Sequence, residues 1–141
     1  LDIANTLPQT VLINSNFNCG YYIKRHLFYQ ILKHDYNVSV IYDPCSYPGI
    51  QCKLYITSDN NVSAHNNDNI KNYISFMIFR TGSVLIVGKC NEIILNNTYN
   101  FIVNILEKEY TKIIDQNISI VPKLPIIKKK KRRIIIVSDS N

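Results

Sequence analysis

The chain has 141 residues, 46% hydrophobic and 18% charged, long enough for a single globular domain with a real core. Its longest apolar runs, such as Val84 to Val87, fall far short of the roughly 20 residues a membrane span needs, and no signal peptide is expected from Leu1 onward. The net charge of +6 is matched by Lys128 to Arg133 alone, so the remainder is formally neutral. A protein that grips nucleic acid through many phosphates shows a basic face; a neutral body must bind it largely through apolar contact, or not alone.

In chain order, residues 1–9 read as a linker, and Thr10 to Asn16 as a short strand between Pro8 and Asn18-Cys19-Gly20. Ile23, Leu27, Gln30 and Ile31 recur at helical spacing, which predicts a helix over Tyr22 to His34. Strands are predicted at Val38 to Tyr42, Gln51 to Thr57, Tyr73 to Phe79 and Ser83 to Gly88. The polar, Asn-rich stretch Ser58 to Asn72 has no hydrophobic periodicity and reads as a loop.

Glu92 to Tyr110 carries a broad apolar stripe through Ile94, Phe101, Ile102, Ile105, Leu106 and Tyr110, and Asn91 supplies a helix start. Residues 112–141 lack strand and turn signatures. Pro122 and Pro125 oppose a long helix there, and the basic run 128–133 reads as a solvated tail, a nuclear-localisation signal or a non-specific DNA-contacting arm. Ile134 to Val137, followed by Ser-Asp-Ser, has the hydrophobic-then-acidic form of a small-modifier-binding strand and could also add a strand to a partner's sheet.

Other chemistry is sparse. Cys19, Cys45, Cys52 and Cys90 have neither C-x-x-C spacing nor a nearby His pair, so they read as reduced thiols rather than zinc ligands. His26, His34 and His65 sit apart, and no nucleophile arrangement or phosphate-binding loop is present, so no enzyme, metal or cofactor is expected. The sequons at Asn37, Asn61, Asn96 and Asn117 fit chance in an Asn-rich chain, whose Asn, Ile, Lys and Tyr usage suits an A/T-rich coding genome.

Two segments carry the functional signal: Tyr42-Asp-Pro-Cys-Ser-Tyr-Pro-Gly-Ile-Gln-Cys-Lys53 and Met77-Ile-Phe-Arg-Thr-Gly-Ser-Val-Leu-Ile-Val-Gly88. Each sets an aromatic, Tyr47 or Phe79, beside a turn in or next to alternating strand sequence. Such a ring can be driven between base pairs from the minor groove. With Leu12-Ile-Asn14 ahead of them, these segments resemble, in order and spacing over residues 10–111, the second repeat of the TATA-box-binding protein family.

The resemblance implies an α+β half-saddle: a curved antiparallel sheet of about five strands with two helices on its convex side. It also implies that the free face binds A/T-rich DNA in the minor groove, bends it and recruits RNA polymerase machinery. Carried over residue by residue, the DNA-binding set is Asn14, Asn16, Met77, Leu85 and Val87 on the concave face, with Tyr47 and Phe79 as kinking rings. Lys53, Arg80, Thr81, Ser83 and Lys89 would lie near phosphates. Asn16 replaces a small apolar residue of the family, Tyr47 a Phe, Lys53 an Arg and Val87 a Thr.

The turn with Asp43, Cys45 and Ser46 would face a transcription factor IIB-like partner. Only Asp43 keeps an acid, so a divergent factor or a polymerase subunit is the expected partner. The family's saddle has two lobes, so a first lobe upstream, or a second lobe paired through the strand near Thr10, is also expected. Divergence and composition suggest a large DNA virus or a protist as source, and an intracellular location in a nucleus or cytoplasmic viral factory. The alternatives are a protein-interaction scaffold of the same fold that has lost DNA binding, and an accessory lobe beside a nuclease or glycosylase.

Overall fold

Residues 10–66, 70–117 and 131–135 are described in the computed structural model of the chain. Strand β1 (Val11–Asn18) alternates strictly, with Val11, Ile13, Ser15 and Phe17 buried and Leu12, Asn14 and Asn16 exposed. The period of two turns successive side chains to opposite faces. The same alternation runs through β3 (Ile50–Ile56), β5 (Tyr73–Ile78) and β6 (Ser83–Cys90). With β2 (Ser39–Ile41), β4 (Val62–Ser63) and β7 (Lys131–Ile135) they form a seven-stranded antiparallel sheet in the order β2-β3-β5-β6-β1-β7, β4 pairing with β3.

Helices α1 (Arg25–His34), α2 (Glu92–Lys108) and the single-turn α3 (Tyr110–Ile113) cover one side of this curved, unclosed sheet. The core lies between: Ile13, Ile50, Leu54, Ile74, Phe76, Ile78 and Ile86 from the sheet against Phe28, Leu32, Leu95, Ile102 and Leu106 from the helices, all buried. The expected α+β half-saddle is the architecture observed.

Local chemistry explains where each element begins. Asn91 Oδ1 accepts from Ile94 N at 2.9 Å, an N-cap that satisfies one of the orphan amides of α2. The predicted first helix starts later than Tyr22 because that stretch is already paired. Ile23 bridges Ile114, and Ile23 N donates to Arg80 O at 2.9 Å, so helical geometry waits until Arg25.

The stretch expected to be a featureless loop, 58–72, contains β4, and its Asn60 (φ 60°) is tied to α2: Asn97 Nδ2 donates to Asn60 O at 2.8 Å and Asn91 Nδ2 to Asn60 Oδ1 at 3.3 Å. Buried Cys19, Cys52 and Cys90 are core residues; burial pushes the Cys19 and Cys90 thiols up to about 11 and Cys52 upward as well. Only Cys45 is an exposed thiol.

The C-terminal segment corrects the sequence reading. The basic run was expected to be a solvated tail, yet Lys131–Ile135 is a strand antiparallel to β1, with Leu12 opposite Ile135, Asn14 opposite Arg133 and Asn16 opposite Lys131. An unpaired edge strand offers a row of free N–H and C=O groups, and β7 takes up that row. A second lobe could use this edge of β1 only in place of β7. Residues 1–9, the Pro122 and Pro125 stretch and the acidic end of the chain lie outside the described residues, as does Ile136-Val137.

A consequence is measurable. Deleting residues 128–141 should expose the β1 amides that point toward β7 to rapid hydrogen exchange and leave an edge prone to self-association. Exchange mass spectrometry with light scattering checks this; unchanged protection in β1 would mean that β7 does not pair there.

Candidate nucleic-acid interface

The uncovered face is defined by register. One row across the sheet reads Asn14, Val87, Ser75, Lys53, Ser39, and the next reads Asn16, Leu85, Met77, Gln51, Ile41. All of these lie on the side away from the helices, because their neighbours along each strand are the buried core residues. Asn14 and Asn16 are exposed on the same face, as expected, and Met77, Leu85 and Val87 are half-buried between them and β3. The open face is mixed, with amides and hydroxyls set around an apolar centre.

At the rim, Tyr47 leads into β3 and Phe79 follows β5. Their ring centroids are 5.9 Å apart with planes tilted by 58°. Both rings sit over Gly49, where an added Cβ would come 2.9 Å from Phe79 Cε1 and 3.1 Å from Tyr47 Cε2, so a larger residue there would have to push the rings aside. The turn that carries Phe79 is fixed by Phe79 N donating to Ser83 O and Gly82 N to Phe79 O, both at 2.9 Å. Tyr47 N donates to Asp43 O at 2.9 Å, and Arg25 Nη1 donates to Pro48 O. The two rings expected to act as a pair are therefore side by side and held from both strands.

The cationic and hydroxyl residues divide into two groups. Lys53 lies in an open-face row with its ammonium 4.2 Å from the centre of the Tyr73 ring, a cation–π contact that steadies the side chain. Ser83 and Lys89 stand at the two ends of β6. Arg80 and Thr81 lie outside the rows, in the turn between β5 and β6, where the Arg80 guanidinium lies 5.5 Å from the Tyr22 ring centre and Thr81 Oγ1 donates to Ser83 Oγ at 3.3 Å. Asn18 Nδ2 reaches Ser83 Oγ at 3.3 Å, so that hydroxyl is part of the turn's own network.

In the turn expected to meet a protein partner, the Asp43 carboxylate is engaged locally: it accepts from Cys45 N at 3.2 Å and Ser46 Oγ at 2.8 Å. The acid shapes an Asx-type turn, while Pro44, Cys45 and Ser46 remain exposed. Sequence reasoning missed Leu12, Gln51, Tyr55 and Tyr73 as members of the open face. The alternation that identified Met77 and Leu85 would have found them.

No protein-family model matches the chain. A TATA-box-binding protein-like protein of Acanthamoeba polyphaga mimivirus is 29% identical to it over 102 residues. The match covers 72% of this chain but 27% of that protein, so the chain spans about a quarter of that relative's length. With the half-saddle fold, this similarity supports a TATA-box-binding protein-like relationship.

Proposed function

We propose that the chain is a transcription-initiation module that binds A/T-rich duplex DNA from the minor groove through its open face and bends it by inserting the Tyr47 and Phe79 rings. The observation that carries this reading is the pair of rings 5.9 Å apart over Gly49, at the rim of a sheet face that no helix among the described residues covers. A minor groove of A·T pairs offers only acceptors, and the amides of Asn14 and Asn16 are donors suited to them. Leu85, Val87 and Met77 supply the apolar contact, and β7 brings Lys131, Arg132 and Arg133 into the sheet beside β1. Lys53, Arg80, Thr81, Ser83 and Lys89 serve the flanking phosphates.

The exposed surface of residues 44–46 presents the bent complex to a divergent transcription factor IIB-like factor or a polymerase subunit, and the module itself catalyses nothing. Its setting is intracellular, a nucleus or a cytoplasmic viral factory, and a further lobe completes the saddle. Fluorescence energy transfer between the ends of a short A/T-rich duplex should show the ends approaching as protein is added. No change in end-to-end distance at saturation would reject bending and favour a protein-interaction scaffold.

A further inference from the structure

Within the row Asn16, Leu85, Met77, Gln51, Ile41, two amides flank two apolar side chains, and β2 and β7 continue the row on either side. Gln51 is half-buried and lines a hollow of about 280 Å³ on the open face with Ser39, Lys53, Tyr73, Ser75 and Met77. Among the described residues, nothing hydrogen-bonds its side-chain amide. A half-buried amide loses part of its water and gains no protein partner here, which leaves its donors available to a ligand.

Its position relative to the rings sets what it would meet. Phe79 follows β5 and Tyr47 leads into β3, whereas Asn14 and Asn16 are on β1. A duplex kinked at the rings and also touching β1 must run across the strands. From Asn16 to Gln51 the row crosses from β1 to β6, β5 and β3. At about 4.8 Å per strand that is roughly 14 Å, or about four base-pair steps at roughly 3.4 Å each.

We infer that Gln51 is a specificity-determining residue that reads the base pair beside the kinked step, by donating from its amide to the A N3 or T O2 acceptor in the minor groove. The inference rests on the minor-groove reading above. A G·C pair at that position puts the guanine 2-amino group, a donor, in the way of the amide donor. An inosine·cytosine pair lacks this group and presents the same acceptors as A·T. Gln51 thus fixes preference at one position and Asn16 at another about four base-pair steps away.

The test uses the 141-residue chain and an A/T-rich duplex scanned with single G·C and inosine·cytosine replacements. The kinked step is located by the fluorescence of 2-aminopurine, which rises when the base unstacks. The parent protein should lose about fivefold or more in affinity when G·C replaces the pair beside that step, and again about four pairs away; inosine·cytosine should cost little at either. Gln51→Met, similar in length but without the amide, should lose the first penalty and keep the second. Gln51→Glu should weaken binding to every A·T site while melting like the parent.

If Gln51→Met keeps both penalties, Gln51 reads no base and the proposal fails, while the minor-groove reading stands. If the parent shows no G·C penalty at any position and no unstacked step, the minor-groove reading fails and this one with it.

Discussion

Replacing Phe79 by alanine should abolish most of the bend in A/T-rich DNA and reduce specific affinity at least tenfold, with little change in non-specific binding. Unstacking a base step costs a few kcal/mol, which an inserted apolar ring offsets. Phe79 has no polar group to desolvate. Tyr47, 5.9 Å away, would be left to open the step alone with a hydroxyl that needs a wet partner. Lys53→Ala makes the contrasting case. It removes one cation from an open-face row and one contact to the Tyr73 ring, so it should weaken all sequences alike and flatten the logarithmic salt slope by about one unit. The bend at saturation should persist. Energy transfer and salt titrations on both variants decide; identical behaviour would mean that ring and cation do not have the separate roles assigned to them.

How much of this was legible in the sequence depends on whether each signal is local. The strands around Met77 and Leu85 announce themselves because every second residue is apolar and buried, and Asn91 marks the start of α2 by its own capping bond. The start of α1 was not legible. Ile23 belongs to the helical pattern, but its pairing with Arg80 and Ile114 is set by residues far along the chain. Strand β4 is two residues long, too short for any periodicity to register. Strand β7 was hidden for two reasons: Lys131-Arg132-Arg133 continues a charge run with no alternation, and its partner β1 lies at the other end of the chain, Leu12 opposite Ile135.

The candidate site follows the same logic. Tyr47 and Phe79 were found through the turns beside them, although only the folded chain shows the two rings meeting over Gly49. Gln51 went unnoticed although it sits between Ile50 and Cys52, both buried, so that alternation alone assigns it to the open face. The Asp43 turn shows a third pattern. An acid that reads from sequence as a partner contact is also the acceptor that holds its own loop, through Cys45 and Ser46.

Gly82→Ala should be the most damaging single methyl in the molecule. Gly82 has φ +91°, a conformation that costs an L-residue about 1–2 kcal/mol before any contact is counted. Its Cβ would also lie 2.3 Å from the backbone oxygen of Tyr21 and 3.0 Å from Cys19 Sγ. Neither neighbour can retreat easily. Cys19 N donates to Gly82 O at 2.9 Å, Tyr21 Oη donates to Leu106 O at 2.9 Å, and the Tyr21 ring packs edge-on against Tyr110 with centroids 4.9 Å apart. The combined loss should reach about 3 kcal/mol or more, a large part of a typical folding stability, and lower the melting temperature by about 10 °C or more. Gly88→Ala is the control. Its added Cβ meets only the Ile74 side chain at 3.0 Å and its nearest backbone atom, Ile74 Cα, at 3.4 Å, and its φ is not positive, so it should cost far less. Because Gly82 N also donates to Phe79 O, any Gly82→Ala protein that does fold should bend DNA less than its residual stability alone would suggest. Thermal melts of both variants, followed by energy transfer at a temperature where Gly82→Ala remains folded, check the two claims; a Gly82→Ala protein melting within a few degrees of Gly88→Ala would refute the turn geometry on which the Phe79 ring depends.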